Sequence, residues 1–256
     1  MRWVGRNVYR TLRKLGFVTA LNMWRFVTRP MPLNDFADYD AYWIERRRAG
    51  YDPVMNRFVI GAKYIPSGAS VVDVGCGTGM FLKYALERDP SLTVFGIDLS
   101  GEAVEITRSK GIPAARMDLL AGERPDERFD VVTAFEVIEH IGDAEAFLAA
   151  LGSICKPDGL ILISIPNTGF VLHRIRLAVL GRFPVTNIML HMKEHLRFWT
   201  VRDFRDWARH YGYDVLRVEA QRTPVSPRLL GRFFPGLWAN QIVCVLRRRG
   251  AAVAGG

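Results

Sequence analysis

The stretch that most limits the possible folds is VVDVGCGTGMF, residues 71–81, where glycine stands at every second position after a run of apolar residues. Gly75, Gly77 and Gly79 can adopt positive φ angles and let a ligand approach the backbone closely. A glycine-rich turn between a strand and a helix lies at the carboxyl edge of a parallel sheet, where doubly wound folds bind their ligands. The stretch therefore predicts a ligand-binding loop after the first strand.

The spacing of these glycines excludes two common nucleotide-binding loops. A dinucleotide fingerprint requires G-x-G-x-x-G, but here the third glycine comes one residue early and Met80 occupies the fingerprint position. No Lys-Ser/Thr pair follows, as a phosphate-binding P-loop requires. The acidic Asp73 before the loop suits a cationic or hydroxyl-rich ligand better than a pyrophosphate.

Short apolar runs alternate with amphipathic stretches through the middle of the chain. Apolar runs bounded by Gly, Pro or Asp are typical of strands covered on both faces of a parallel sheet. Strands are predicted over SVVDV (70–74), TVFGID (93–98), PAARMD (113–118), FDVVTAF (129–135) and GLILISIP (159–166). The stretches MFLKYALER, GEAVEITRSKG and DAEAFLAALGSIC between them are predicted as helices, which indicates βαβ crossovers.

The last third of the chain departs from this rhythm. TVRDFRDWARHYG is predicted as a helix in which Thr200 can serve as the N-cap. YDVLRVEA and NQIVCVLRR follow as strands, and we expect them to pair antiparallel because no crossover helix fits between them. The predicted fold class is α/β: a doubly wound, mostly parallel seven-stranded sheet with an antiparallel last strand, in the Rossmann-like arrangement.

Three landmarks at the ends of consecutive strands resemble one known family. VVDVGCGTG resembles motif I of the class I S-adenosylmethionine (AdoMet) methyltransferases, FGIDLS ends its strand in Asp98, and ARMDLL offers Met117 and Asp118 near the adenine. In that family the loop wraps the methionine part of AdoMet, and the acid of the second strand binds the ribose hydroxyls by charge-assisted hydrogen bonds. The resemblance covers roughly residues 55–248. It implies these cofactor-binding residues: Asp73, Gly75, Cys76, Gly77, Thr78, Gly79, Asp98, Leu99, Met117, Asp118, Phe135 and Glu136.

A second constellation, EVIEH, follows the fourth predicted strand. Glu136, Glu139 and His140 stand at i, i+3 and i+4, so they share one face if this stretch is helical. The motif resembles the ubiquinone-biosynthesis O-methyltransferases. It is also similar to the metal-dependent RNA 3′-end methyltransferases, in which such a cluster and a later histidine bind a divalent ion. His195, which begins HLRFWT, is the candidate for that histidine.

Two chemistries are open for this constellation. Glu136, Glu139, His140 and His195 could together bind Mg²⁺, Mn²⁺ or Zn²⁺, and the metal would lower the pKa of an acceptor hydroxyl. Alternatively no metal is used, Glu136 borders the cofactor, and His140 acts alone as general base. Imidazole titrates near neutral pH, so His140 is the first choice for the catalytic base and Glu136 the second.

The predicted substrate side begins after the fifth strand. ISIPNTGFVLHRIRLAVLGRFPVTN (163–187) is similar to the MetW-like proteins of methionine biosynthesis. Arg174, Arg176 and Arg182 could bind an anionic substrate by forked hydrogen bonds, or they could form a solvated helix face. Upstream, the aromatic residues of DYDAYWIERR either cover an apolar substrate as a lid or pack under the sheet; they are Tyr39, Tyr42 and Trp43.

The charge and the ends of the chain suggest its partners. The net charge is +9, and residues 2–27 are predicted as a basic amphipathic helix that either lies on an anionic membrane or packs on the domain. We do not expect nucleic acid as a partner, because no RNA-binding module is recognisable. The three cysteines form no CxxC pair, which favours a reducing compartment. We expect a cytoplasmic protein, peripheral on the inner face of the membrane, whose N-terminus is retained.

The sequence thus predicts a basic helical segment over 1–33, an AdoMet-dependent methyltransferase domain over 34–248 and a flexible tail over 249–256. The expected reaction is O-methylation of a small, lipid-linked or cell-envelope acceptor: an isoprenoid phenol, a lipid or a saccharide. A non-catalytic AdoMet-binding regulator or scaffold, as the MetW-like resemblance implies, is the alternative. An RNA-end methyltransferase is the third. The oligomeric state is not predicted.

Overall fold

The structure, a computed structural model, describes residues 40–41, 43–44, 55–181, 195–221 and 228–250. Several predictions fall outside these ranges and stay predictions: the helix over 2–27, the roles of Tyr39, Tyr42 and Arg182, and the tail beyond residue 250.

Strands and helices alternate as the sequence predicts. The strands are β1 (Ser70–Val74), β2 (Thr93–Asp98), β3 (Ala114–Arg116), β4 (Phe129–Phe135), β5 (Cys155–Pro166), β6 (Tyr213–Ala220) and β7 (Gln241–Arg248). The α-helices are α1 (Asn56–Gly61), α2 (Met80–Arg88), α3 (Gly101–Arg108), α4 (Ala144–Ile154), α5 (Val171–Leu180), α6 (Val201–His210), α7 (Arg228–Phe233) and α8 (Pro235–Trp238). Short 3₁₀ helices span Ala62–Tyr64 and Ile138–His140, and residues 40–41 and 43–44 are helical.

All seven strands form one sheet in the order β3-β2-β1-β4-β5-β7-β6. The pairs among β1 to β5 are parallel, whereas β7 is antiparallel to both β5 and β6. This confirms the predicted fold class. The strand order reverses between β1 and β4, and the carboxyl edge at such a switch point is where doubly wound sheets bind ligands.

Both faces of the sheet are covered, which explains the continuous apolar runs. In β1, Val72 and Val74 pack into one buried cluster and Val71 into the other. Successive side chains of a strand point to opposite faces, so a strand buried on both sides carries no polar alternation. None of the helices in the described ranges is long and apolar enough to cross a bilayer.

The helix signal near the C-terminus is confirmed, but four α-helices of the structure were not predicted. Thr200 caps α6: its hydroxyl accepts from the amide of Asp203, and the Asp203 carboxylate accepts in return from the Thr200 amide. The four helices that were not predicted are α1, α5, α7 and α8, for which the sequence analysis found no helix signal. Strand β5 starts at Cys155, earlier than predicted, because Cys155 already pairs with Phe129 before a register irregularity.

Candidate active site

The glycine loop has the backbone that its composition predicts. Gly75, Gly77 and Gly79 all have positive φ angles, of 72°, 54° and 70°. The loop is folded onto β2, because the amides of Gly75 and Cys76 both donate to the carbonyl of Ile97. At Gly75 a side chain is also sterically excluded: a Cβ there would lie 2.5 Å from Cγ2 of Val137. The loop therefore needs glycine for both conformation and packing.

Asp98 connects this loop to helix α3. Its Oδ2 accepts from the amide of Gly77 at 2.8 Å, and its Oδ1 accepts from the amide of Ser100 at 2.9 Å. Burial raises the pKa of Asp98, and the two backbone donors oppose that rise. A carboxylate offers about four acceptor positions. Two remain for a ligand such as a vicinal diol, so the geometry fits the predicted ribose contact.

Asp73 is a second buried carboxylate under the loop. It accepts from the hydroxyl of Thr133 at 2.5 Å, and burial raises its pKa to about 7. The nearby carboxylate of Asp98 adds to this rise, while Arg57 opposes it. A cationic group bound beside Asp73 would restore the charged form, which suits the ammonium of a methionine moiety.

Arg57 is a candidate that the sequence analysis missed. It lies on α1, its Nε is buried, and within the described residues that atom makes no hydrogen bond. Its charge acts on both Asp73 and Glu139, and its guanidinium lies 5.5 Å from the ring centroid of Phe58. A lone arginine in the short apolar helix NRFVIG was the available signal. Two carboxylates and the guanidinium of Arg57 complement the sulfonium, ammonium and carboxylate of AdoMet, so the residues fit that cofactor.

The remaining predicted cofactor residues surround the loop in different ways. The backbone of Met117 donates to the carbonyl of Asp98 at 3.1 Å, and Leu99 is exposed. The carboxylate of Asp118 accepts from the amides of Leu120 and Ala121, so it stabilises its own turn. The ring of Phe135 packs edge-on against Phe81 in the core. Of Phe135, therefore, the backbone is the part suited to border a cofactor.

Two loop residues serve the loop itself. The carbonyl of Thr78 accepts from Nζ of Lys110 at 2.7 Å. Cys76 is buried beside Thr107, and burial raises the pKa of its thiol, so it is not a nucleophile at neutral pH. Both residues are placed to hold the loop in shape.

Glu136 departs from the predicted helical face. It has a φ of 56°, the only positive value among the described non-glycine residues, and it precedes the 3₁₀ helix Ile138–His140. Its carboxylate accepts from Ser164 at 2.8 Å and from Gln241 at 2.9 Å. Its amide also donates to both oxygens of Ser164. With this left-handed backbone, Glu136 is bonded to Ser164 of β5 and Gln241 of β7.

The cluster that forms consists of Glu139, His140 and His195. One potential ligand atom from each lies within 4.8 Å of the others, and the two imidazole rings meet edge-to-face at 4.6 Å. The carbonyl of Glu139 accepts from the amides of Leu196 and Arg197, and these bonds bring the 195–198 segment to the 3₁₀ helix. Three of the four predicted ligand candidates are thus adjacent, and Glu136 is outside the cluster.

Glu139 is the unusual member of this cluster. Its side chain is fully buried, and within the described residues neither carboxylate oxygen makes a hydrogen bond. Burial raises the pKa of Glu139 well above its usual range, and the charge of Glu136 raises it further. Such a group is either protonated or accompanied by a cation, because an isolated buried carboxylate is strongly disfavoured.

The structure places the predicted substrate residues in different surroundings. Arg174 is exposed and donates to the carbonyl of Gly169 at 2.7 Å, whereas Arg176 is only 2% exposed. Arg176 lies near the buried His173, whose pKa falls to about 4, first through burial and second through the charge of Arg176. The solvated-face alternative therefore fits Arg174 and not Arg176. Trp43 lies against Gly77, on the cofactor side of the site.

Comparisons with known proteins agree with this geometry. A family profile described as "Methyltransferase domain" matches residues 42–218. The ubiquinone biosynthesis O-methyltransferase of Xylella fastidiosa (strain 9a5c) is 30% identical over 210 residues, covering 76% of this chain and 82% of that enzyme. The enzyme of the same name from Rhodopseudomonas palustris (strain BisB18) is 31% identical over 175 residues, covering 64% of this chain and 62% of its own length.

Solved structures share the fold. The methyltransferase complex of Haloferax volcanii with the Trm112 activator contains a chain with a TM-score of 0.60 and 17% identity, which covers 84% of this chain and 100% of that one. A TehB-like methyltransferase from Corynebacterium glutamicum gives a TM-score of 0.55 at 17% identity, over 82% and 98% of the two chains. At these identities the likeness shows the fold alone.

Proposed function

The chain belongs to the class I AdoMet-dependent methyltransferases, and from that premise we propose that it O-methylates a lipid-linked acceptor of the isoprenoid phenol type. The observation that carries the proposal is the Glu139–His140–His195 cluster beside the glycine loop. Val137 contacts Gly75 and is followed directly by the 3₁₀ helix that bears His140. A proton acceptor thus lies next to the cofactor loop. The names of the relatives supply the acceptor class.

The residues of this chain perform three tasks in the proposed reaction. AdoMet, when bound, supplies an electrophilic methyl group on its sulfonium. Asp98, Asp73 and the glycine loop fix the position of the donor, and alignment of two reactants is the main source of rate in such a transfer. His140 accepts the proton of the acceptor hydroxyl as its oxygen attacks. The buried surroundings of Glu139 and His195 keep bulk water from competing.

A second proposal concerns a metal at the same cluster. Glu139, His140 and His195 would hold a divalent ion, and the two buried carboxylate oxygens without hydrogen bonds are the observation that favours it. Two imidazoles and one carboxylate suit Zn²⁺ or Mn²⁺ better than Mg²⁺, which prefers oxygen ligands. Such an ion would lower the pKa of an acceptor hydroxyl. His140 would then be a ligand and not the free base.

Titration of Mn²⁺ or Zn²⁺ into chelator-treated protein tests this proposal by calorimetry. We expect Glu139→Gln to weaken binding at least roughly tenfold, because a neutral amide replaces the anionic ligand. Binding should release protons and strengthen as the pH rises, because the raised pKa of Glu139 leaves that group protonated before the ion arrives.

Glu145→Gln is the matched control, since Glu145 lies outside the cluster and accepts from Trp207. It should bind the metal like the wild type. Equal affinities of the wild type and Glu139→Gln would exclude a metal at this cluster.

The lipid-linked character of the acceptor is supported by the outer surface of α5. Its buried residues include His173 and Arg176, whereas apolar Ile175, Leu177 and Val179 are exposed, the last at 73%. Helices of water-soluble surfaces show the opposite arrangement. An apolar outer face that covers polar residues is suited to a lipid environment.

A second apolar group lies near α5. Phe233 and Phe234 are 65% and 61% exposed. Asn167, just before α5, donates to the carbonyl of Ala239, which ties the two regions together at the carboxyl edge. No Asp or Glu occurs from residue 159 to 193 or after residue 219, while arginines recur in both stretches. Apolar groups with basic and no acidic neighbours match an anionic bilayer surface.

Anionic vesicles that contain a prenylated phenol test the acceptor and the surface together. We expect the wild type to float with the vesicles at low salt and to methylate the embedded phenol. Val179→Asp should reduce both roughly tenfold, because a charge replaces an apolar contact at an anionic surface. The same variant should still methylate a short-chain phenol in solution.

Leu216→Asp is the control, because Leu216 is an exposed leucine on β6. It should float and react like the wild type. Absence of flotation at low salt would remove the membrane from the proposal. Absence of methylation of both phenols would remove the acceptor class, and the regulator or RNA-end alternatives would then be the next to test.

A further inference from the structure

A short segment upstream of α1 is docked on the cofactor loop. Asp40 accepts from the hydroxyl of Ser100 and from the amide of Glu102, at the start of α3. Ser100 also donates its own amide to Asp98. The segment is therefore bonded to Ser100, which is itself bonded to Asp98, the carboxylate proposed to bind the ribose.

Trp43, three residues along this segment, contacts the loop directly. A Cβ built on Gly77 would lie 2.6 Å from Cζ2 of Trp43 and 3.3 Å from Cζ3. The amide of Gly77 is the one that donates to Asp98, so the indole touches the residue that connects the loop to that carboxylate. Trp43 as a whole is half-buried.

The surroundings of this ring favour a positive charge. Asp98 lies one hydrogen bond from Gly77, Asp73 lies on the strand that leads into the loop, and both are buried. The face of an aromatic ring attracts cations, and tryptophan does so most strongly. The methyl donor carries a sulfonium charge, whereas the product S-adenosylhomocysteine carries a neutral thioether at the same atom.

We propose that Trp43 is a specificity-determining residue of the cofactor site, whose indole ring favours the sulfonium of AdoMet over the neutral sulfur of S-adenosylhomocysteine. The ring would hold the donor before transfer and favour release of the product once the charge is gone. The inference rests on membership of the methyltransferase family and is independent of the acceptor. It differs from the lid over an apolar substrate that the sequence suggested for this residue.

Calorimetric titration of AdoMet and S-adenosylhomocysteine into the Trp43→Leu and Trp43→Phe variants tests the proposal. The measured quantity is the ratio of the two dissociation constants. We expect Trp43→Leu to lose roughly tenfold in affinity for AdoMet and less than twofold for S-adenosylhomocysteine. Trp43→Phe should fall between Trp43→Leu and the wild type, because benzene attracts cations less than indole does. No acceptor or turnover is needed.

The control is Trp207→Leu, because Trp207 packs on α6 against Trp199 and Phe204. It should leave the ratio unchanged. Equal loss of both ligands in Trp43→Leu would mean that the indole only covers the loop, and the proposal would be wrong. A second result would also overturn it: Trp43→Phe keeps the wild-type ratio of dissociation constants, and Trp43→Leu binds neither ligand. Packing of an aromatic ring, and not the cation–π attraction, would then explain the role of Trp43.

Discussion

Replacement of Asp98 by alanine is expected to weaken AdoMet binding by roughly 10²- to 10⁴-fold, because two charge-assisted hydrogen bonds to the ribose are lost. The same change removes the acceptor for the amides of Gly77 and Ser100, so the loop also loses its connection to α3. Calorimetric titration of AdoMet into the wild type and the variant measures the effect. This loss of AdoMet affinity is larger than the one expected for Trp43→Leu.

Two controls separate recognition from folding. Asp89 lies beyond the other end of the sheet, where it accepts from Ser67 and Ser91, and Asp89→Ala should bind AdoMet like the wild type. Asp98→Ala also leaves the amides of Gly77 and Ser100 without this acceptor, so the melting temperatures of the wild type and the variant are measured beside the binding. Binding by Asp98→Ala within tenfold of the wild type, with an intact fold, would show that Asp98 does not hold the ribose.

The strand, glycine loop and helix of the candidate cofactor site could be predicted because their signals are local. A strand, a loop of glycines and a helix follow each other within residues 70–88, and the conformation of Gly75 and Gly77 follows from residue type. Asp98 was predictable for the same reason, since the last residue of a buried strand must lie at the carboxyl edge. Nothing distant in sequence was needed to place these groups.

The acceptor half could be predicted only in part, because backbone turns and long-range contacts decide it. The spacing of Glu136 and Glu139 suggested one helical face, but glutamate rarely adopts a left-handed φ, and Ser164 and Gln241 hold it there from strands far along the chain. His195 was found through the resemblance of HLRFWT to a family motif, and long-range bonds, among them those from the amides of residues 196 and 197 to the Glu139 carbonyl, bring it close.

Helix α5 and Arg57 show a different limit. The apolar run around Val179 gave no period from which an inner face could be chosen, and the structure buries His173 and Arg176 instead. Analysis of hydrophobic periodicity assumes that apolar residues face inward. It therefore cannot predict a helix that buries polar residues and exposes apolar ones. Arg57 carried no motif, and only the structure shows that its charge acts on both Asp73 and Glu139.

Replacement of His140 by alanine is expected to lower the turnover number by roughly 10²-fold or more, because the proton acceptor beside the loop is lost. AdoMet should still bind with an affinity within about threefold of the wild type, since Ile97, Asp98 and Lys110 make the hydrogen bonds that hold the glycine loop. Release of S-adenosylhomocysteine with a phenolic acceptor measures the first quantity, and calorimetry measures the second. His210→Ala, on the exposed end of α6, is the control and should leave both unchanged.

The turnover of variants at Glu139, His140 and His195 then shows whether His140 acts as a general base or as a metal ligand. If His140 acts as the general base without a metal, Glu139→Gln should change turnover only a few-fold, because burial favours the protonated form of this carboxyl, and a chelator should have no effect. If the cluster binds a metal, Glu139→Gln, His195→Ala and a chelator should each reduce turnover about as much as His140→Ala, because each removes the same ion. Unchanged turnover in His140→Ala would exclude both chemistries for this residue. Glu136, whose carboxylate Ser164 and Gln241 hold in place, would then be the next candidate for the base.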